Sequence, residues 1–326
     1  QILIMNNLNI EKSHHKKIQV IAPAKINLHL EVLGLRKDDF HELAMIMQSI
    51  SLFDELSFSN RLDGIVSLCS SNTELSTNED NLIVKAANLL KIINKDISFG
   101  VDINLKKNIP IGAGLAGGST DAAATLIALN KLWDLDLSLS ELKEIASQLG
   151  SDVPFCLNGG MQFCFGRGEV LQPVNIDNPK IAVLLVKDPL ASVSTPWAYK
   201  LFREINESKY LTKESEFEKK RNSLRHSDWI AEFKNDPSSF MPPLYNDLQQ
   251  VVSPKVSSVQ RTLKSLGKMP CALTYAMSGS GPSCFALYEN ISTLRIDLEE
   301  NKSLFEDAGL NTWVCEFVDK GIAFQL

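Results

Sequence analysis

The chain has 326 residues, 44% hydrophobic and 22% charged, with a formal net charge of −6. That composition excludes a disordered chain and supplies enough apolar material for two domains. The acidic balance excludes a broad electrostatic footprint for nucleic acid or an anionic membrane, and no apolar run approaches the roughly 18 residues of a membrane span.

Residues 1–17 read as a polar, loosely ordered tail, with Met5 as the natural start and residues 1–4 as a processing remnant. From 24 to 32 the chain alternates. Ile26, Leu28, Leu30 and Val32 fall on one face, and Lys25, Asn27, His29 and Glu31 on the other, the period of a half-buried strand. Further strands are expected over 50–58 and 65–69, a helix over 81–93, and a strand over 101–105 that delivers the chain to Pro110-Ile111-Gly112-Ala113-Gly114-Leu115-Ala116-Gly117-Gly118-Ser119-Thr120. A helix-forming stretch follows, with Ala122, Leu126, Leu129 and Trp133 as its apolar stripe.

Gly112, Gly114, Gly117 and Gly118 let the backbone come close to an anion, and Ser119 and Thr120 stand where N-caps belong. A helix N-terminus there stabilises a polyphosphate through unpaired N–H groups and its dipole. An ordinary turn is the plain alternative, but it needs one or two glycines. Gly112-x-Gly114-x-x-Gly117 matches a dinucleotide fingerprint by letter. A Rossmann unit, however, needs an acid ending a second strand about 20 residues on, and that region holds a helix end with Asp134 and Asp136. No Walker loop is present, since Gly267-Lys268 is followed by Met269. The segment is therefore read as a phosphate cradle of a third kind.

Ser138 and Glu141 form a capping-box pattern for a helix that Gly150 stops. Asp152 lies just beyond, before Val153-Pro154-Phe155, in an apolar setting where the helix dipole gives a carboxylate no help. Such a carboxylate needs a cation, and Lys25 is the candidate. The plain alternatives are an N-cap for a short helix containing Pro154 and one lysine on a solvated strand face. As a pair they suit phosphoryl transfer: the carboxylate orients and deprotonates a hydroxyl while the ammonium offsets charge on the moving group.

A second half is expected from about 173–179. It comprises a buried strand over 181–186, a helix starting over 197–202, a mixed-charge tract over 204–236 read as a solvated insertion, and a helix through 251–266. Strands over 273–277 and 284–288 flank Ser278-Gly279-Ser280-Gly281-Pro282. The six cysteines form no C-x-x-C pair or zinc spacing, which suits a reducing compartment.

Pro23-Ala24-Lys25-Ile26-Asn27-Leu28, the 110–123 segment, Gly150-Ser151-Asp152-Val153-Pro154-Phe155 and Met277-Ser278-Gly279-Ser280-Gly281-Pro282 together resemble the galactokinase, homoserine kinase, mevalonate kinase and phosphomevalonate kinase (GHMP) superfamily. The resemblance covers nearly all of the chain from residue 18. Asp39-Phe40-His41-Glu42-Leu43 and Gly166-Arg167-Gly168-Glu169 are similar to the branch acting on a cytidine-diphosphate-linked methylerythritol in the non-mevalonate isoprenoid pathway.

The resemblance implies an α/β fold of two α+β domains with the site in the cleft between them. One, about 18–176, is an ATP-binding domain with a left-handed βαβ element, of the fold shared with a ribosomal small-subunit protein. The other, about 177–326, is ferredoxin-like and takes the substrate. The implied reaction moves the ATP γ-phosphoryl to the C2 hydroxyl of the methylerythritol. Asp152 falls on the family's catalytic base and Lys25 on its paired lysine, Asn27 helps hold the substrate, and Gly279 and Ser280 stand with it. Residues 110–120 fall on the ATP loop. Phe40 and His41 match positions that stack on and hydrogen-bond to cytosine. Thr195 and Tyr199 match a hydroxyl contact and a second ring, and their i, i+4 spacing sets them on one helix face. Magnesium is implied by the chemistry, held mainly by ATP phosphates and water with no protein metal ligands.

Three departures stand out. Phe40 replaces a more usual tyrosine, Ser151 a frequent alanine, and Ala116 a glycine, so residue 116 is expected to take an ordinary backbone dihedral. The implied partner is a small molecule, with no nucleic acid or membrane, for a monomer or weak homodimer in bacterial cytoplasm or plastid stroma. A sister kinase acting on homoserine or mevalonate, a dinucleotide-dependent oxidoreductase and a silent nucleotide binder remain the alternatives.

Overall fold

The structure, a computed structural model, describes residues 17–95, 97–174, 180–228 and 244–325. Residues 1–16 of the expected tail, the division at 176/177 and residues 229–236 of the charged tract lie outside the described residues.

Two long strands, β1 (Lys17–Leu35) and β2 (His41–Arg61), form the antiparallel hairpin at the centre of the larger sheet. β3 (Val66–Ser70), α1 (Leu82–Ile93) and β4 (Gly100–Lys106) make a βαβ unit whose two strands pair in parallel. Asn81 caps α1 by accepting the Ile83 N–H. The N-terminal half of β2 pairs with β5 (Met161–Gly166) and its C-terminal half with β4. β6 (Val170–Pro173) lies beyond β5. Between β4 and β5 come α2 (Gly117–Leu132), α3 (Leu139–Leu149), with the expected Ser138–Glu141 capping box, and α4 (Val153–Asn158). Alanines at 122, 123, 124 and 128 let α2 press onto β1, β2 and α1, so the helix is buried well beyond the expected stripe.

The alternation in β1 does not mark one polar and one apolar face. Pairing with β2 slips at 23/25, where β2 carries the extra residues, and at 27/29 and 32/34, where β1 carries one each, and the buried side chains change core along the strand. Val20, Ala22, Leu30 and Val32 join the core that contains α1 and α2, whereas Ala24, Ile26, Leu28 and Leu33 join a second core containing Val183, Leu185 and Phe285. Covered on both sides, the strand also buries Lys25 and Asn27, at 5% and 2% exposure.

In the second half, β7 (Ala182–Lys187) leads through α5 (Thr195–Asn206) and a 3₁₀ turn (Glu207–Lys209) to α6 (Glu214–Arg225). The described part of the charged tract is thus structured and docked. The Leu211 N–H donates to Leu33 O at 2.9 Å, and Phe217 and Leu224 are buried. Two apolar anchors on a twelve-residue helix leave too faint a period to read from sequence. β8 (Tyr245–Asn246) pairs with β1, and the single helix expected through 251–266 is two, α7 (Asp247–Val252) and α8 (Ser257–Leu266). Pro254 lies at the break, where its ring offers no N–H to continue α7. β9 (Thr274–Met277), β10 (Cys284–Tyr288), α9 (Ile291–Asn301) and β11 (Asn311–Glu316) complete a four-stranded antiparallel sheet in the order β11-β7-β10-β9. β12 (Ala323–Phe324) then returns to β1, so the larger sheet draws two strands, β8 and β12, from the second half of the chain.

Candidate active site

A cleft of about 910 Å³ lies where the glycine segment, the middle of β1 and the second half of the chain meet. Of the residues singled out from sequence, all but Thr120 line it. Thr120 is fully buried in the first turn of α2.

The phosphate end of the cleft is backbone. Gly112 and Gly114 have φ of 60° and 74°, conformations that side chains resist. A Cβ on Gly114 would sit 2.5 Å from Ser278 O, and the Ser278 hydroxyl donates to Gly114 O at 3.2 Å, so the two glycine loops interlock. α2 begins earlier than the cap positions expected at Ser119 and Thr120. Its N-cap is Ala116, at φ 57° and ψ 28°, with no side-chain cap. The ordinary dihedral expected there is therefore wrong. The left-handed conformation costs an alanine roughly 1–2 kcal/mol, and it turns the chain straight into α2, where Thr120 N–H closes on Ala116 O at 2.9 Å.

Lys25 and Asp152 come together, with Lys25 Nζ 3.4 Å from Asp152 Oδ2. Lys25 also donates to Asn27 Oδ1 at 2.7 Å, and its own N–H donates to Leu115 O at 3.1 Å, tying the strand to the glycine segment. Asp152 occupies the N-cap position of α4 without a side-chain capping bond, which leaves its carboxylate to Lys25 and the cleft. Gly279, at φ 54°, leaves room for no side chain beside Gly114 O, Asn27 Oδ1 and Lys25 Nζ, and Asn246 fixes it by donating to Met277 O and Gly279 O. Thr195 Oγ1 and Ser280 Oγ are 2.9 Å apart on the opposite wall.

Aromatic rings line the far end. His41 stacks on Tyr199 at 5.1 Å and meets the edge of Tyr210 at 5.7 Å. Burial, with Arg203 nearby, holds the His41 pKa below its ordinary value, and its Nε2 is buried without a partner. Burial raises the Tyr199 phenol, reinforced by Asp152 and Asp247. Phe40 is half exposed, with the Arg167 guanidinium 4.8 Å from its ring centre.

Sequence reasoning missed a buried triad below the cradle. Lys107 Nζ lies 2.5 Å from Asp54 Oδ2 and 2.6 Å from Asp121 Oδ2. Asp54 also accepts the N–H groups of Asn108 and Ile109, which anchors the entry to the glycine segment. Burial drives the Asp121 pKa well up, Lys107 opposes that, and Asp54 adds to it. Lys107, just past the end of the strand that leads into the glycine segment, was the available signal; its partners are 14 and 53 residues away in the chain. Arg167, Lys200 and Arg203 also line the cleft and went unread as cations facing a ligand. Among the described residues no group of three His, Cys, Asp or Glu side chains is placed to hold a metal, and no helix is long and apolar enough to cross a membrane.

Comparisons with known proteins agree with this geometry. The family model described as GHMP kinases N terminal domain matches residues 81–160, and that described as GHMP kinases C terminal matches residues 229–306. A 4-diphosphocytidyl-2-C-methyl-D-erythritol kinase of Prochlorococcus marinus is 52% identical over 98% of this chain and 100% of its own. One from a Synechococcus species is 51% identical over 94% and 99%. Among solved structures, a crystal structure of 4-(cytidine 5'-diphospho)-2C-methyl-D-erythritol kinase superposes with a TM-score of 0.69 at 27% identity, over 91% of this chain and 99% of that one. A homoserine kinase from Cytophaga hutchinsonii, at 18% identity and the same TM-score of 0.69, over 95% and 97%, shares the fold.

Proposed function

We propose that this chain, which belongs to the 4-diphosphocytidyl-2-C-methyl-D-erythritol kinase family of the GHMP kinases, uses the cleft to phosphorylate the 2-hydroxyl of 4-diphosphocytidyl-2-C-methyl-D-erythritol with ATP. The observation that carries the reading is the pairing of Lys25 with Asp152 at 3.4 Å in a cleft lined by both the backbone cradle and the aromatic residues Phe40, His41 and Tyr199. Asp152 takes the hydroxyl proton as the oxygen attacks the γ-phosphorus, and the bond to the β,γ-bridging oxygen breaks to leave ADP. Lys25 orients the carboxylate and offsets charge on the phosphoryl oxygens. The loop of residues 110–120 holds the ATP phosphates through N–H groups and the start of α2. Mg²⁺ would be held mainly by those phosphates and water, beside Ser119 on the wall of the cleft.

At the other end, Phe40, His41 and Tyr199 take the cytosine. A neutral imidazole with a buried, unpartnered Nε2 supports a hydrogen bond to the base edge. Asn27, Thr195, Gly279 and Ser280 border the methylerythritol. ATP binding falls to residues 18–176, and substrate recognition is shared between that half and residues 177–326. Six unpaired cysteines and relatives from two bacterial genera support a reducing bacterial cytoplasm as the setting.

The test is ATP consumption by the purified protein with magnesium and the cytidyl substrate, beside homoserine and mevalonate. Turnover with the cytidyl substrate alone upholds the reading. Turnover with another alcohol alone keeps the cradle and base and overturns the substrate.

A further inference from the structure

One charge of the tract 204–228, Arg221, reaches a buried carboxylate beside the aromatic pocket. Glu42, 3% exposed, follows His41 in β2. Its Oε1 accepts the Gly166 N–H at 3.1 Å and Arg221 Nη2 at 2.5 Å, and its Oε2 accepts Arg36 Nη1 at 3.1 Å. One side chain therefore joins three pieces of chain. The first is the turn between β1 and β2, which carries Phe40. The second is the turn between β5 and β6, where Arg167 sits over the Phe40 ring. The third is α6.

Arg221 is itself held in place. Glu214 and Glu218 accept from its Nη1 at 2.6 and 3.2 Å, and Arg225, one turn on, reaches Gln172 at 2.8 Å and lies 4.7 Å over the Phe165 ring. From the same tract, Tyr210 sets its ring edge against His41 and stacks on Phe202 at 6.3 Å. Neither Glu42 nor Arg221 lines the cleft. Arg36, the other cation on Glu42, is partly exposed and shared with Asp38 at 3.2 Å, so it is the weaker clamp.

We infer that Arg221, acting through Glu42, is a positioning residue that sets the spacing of the Phe40-His41 turn and the Arg167 turn, and with it the affinity for the cytidine moiety. The inference rests on the cytidyl-substrate reading above. A planar guanidinium shared among fixed carboxylates holds geometry as well as charge. Its loss leaves Glu42 buried with a single, more mobile cation and frees the two turns to move apart. Among the described residues Arg221, Arg36 and Glu42 make no hydrogen bond or ion pair with Lys25, Asp152 or the glycine segment, so kcat and ATP binding should stay close to those of the wild type.

Arg221→Ala, Arg221→Lys and, on the same helix, Lys220→Ala, whose side chain pairs with Glu31, separate the possibilities. The measurements are KM for the cytidyl substrate, KM for ATP, kcat, the inhibition constant of cytidine diphosphate and the melting temperature. Arg221→Ala should raise the cytidyl KM and the cytidine diphosphate inhibition constant together by about tenfold, with kcat and the ATP KM within about twofold. Arg221→Lys should recover part of that loss, and Lys220→Ala should match the wild type. An unchanged cytidyl KM in Arg221→Ala, or kcat and the ATP KM moving in step with it, overturns the inference. Should Arg221→Ala not fold, Arg221→Lys decides: a selective rise in cytidyl KM upholds the inference and no rise overturns it. A wild-type protein that neither binds cytidine diphosphate nor turns over the cytidyl substrate would instead overturn the substrate reading, and this inference with it.

Discussion

Replacing Lys107 by methionine keeps most of the side-chain volume and removes the ammonium from between two buried carboxylates. Asp54 and Asp121 are 0% and 2% exposed at the side chain, and Lys107 is 4%. Asp54 retains the N–H groups of Asn108 and Ile109, whereas Asp121 Oδ1 has no partner, so Asp121 is the group that must take up a proton. Breaking a buried ion pair by deleting one partner costs about 3–5 kcal/mol. Protonating a carboxyl of ordinary pKa 3.8 at pH 7.5 bounds the cost near 5 kcal/mol, at about 1.4 kcal/mol per pH unit. With an unfolding entropy of roughly 2.1 cal/mol/K per residue over 326 residues, the melting temperature should fall by about 4–7 °C. Calorimetry at pH 8 and pH 5.5 is the assay. In the folded state the Asp121 pKa lies above its unfolded value. Between the two the folded chain binds more protons, so stability is fullest below the unfolded value and falls as pH rises. Lys107 holds that pKa down, so its removal raises it further and steepens the fall with pH; the deficit should be larger at pH 8 than at pH 5.5, and adding Asp121→Asn should recover much of it. A drop under about 1 °C at pH 8, or equal deficits at both pH values, would refute the reasoning.

Asp152→Asn keeps the shape of the side chain and removes the base, so kcat should fall by about 10²–10⁴ with the ATP KM within about twofold in a coupled steady-state assay; undiminished turnover would remove Asp152 from that role. Gly114→Ala must place a methyl 2.5 Å from Ser278 O at φ 74°, and should raise the ATP KM at least about tenfold and lower the melting temperature; a normal ATP KM would show that the loop interlock does not shape the cradle. Because burial, aided by Arg203, holds the His41 pKa below 6.5, cytidine diphosphate inhibition should stay constant from pH 8 down to pH 6.5 and weaken at lower pH. Stability follows with the same sign: the unfolded chain protonates first, so folding loses free energy on acidification below about 6.5. An inhibition constant already doubled at pH 6.5 would contradict this.

What the sequence disclosed was local. Glycines at the start of a helix and a serine three residues ahead of a glutamate each declare a chemistry within a dozen residues, and the structure keeps the loop and the capping box; the Lys25–Asp152 pair, distant in the chain, was legible because a carboxylate in an apolar setting demands a cation and both residues stand in motifs of one family. It failed where the physics is non-local. The period in residues 24–32 counts straight through the bulges, because nothing in Lys25-Ile26-Asn27 marks where β2 slips against it. β2 was read only over 50–58, since residues 42–50 are buried on both faces and show no alternation. Ala116 was expected to avoid a left-handed dihedral on propensity alone. The interlocked loops and the first turn of α2 override that preference of roughly 1–2 kcal/mol.

Charged residues show the same limit most sharply. Lys107, Asp54 and Asp121, like Arg221 and Glu42, are visible as charges in the chain, yet whether each is solvated or clamped depends on partners 14 to 179 residues away. The tract 204–228 looked like a solvated insertion because its composition matches one, and α6 does expose half of its residues. Its function lies in the few side chains turned inward, where a guanidinium and a carboxylate meet under low exposure and the geometry of a neighbouring binding pocket is set. Composition reports how many charges a segment has. Topology alone decides which of them lose water, and those are the ones with energy enough to hold a site in shape.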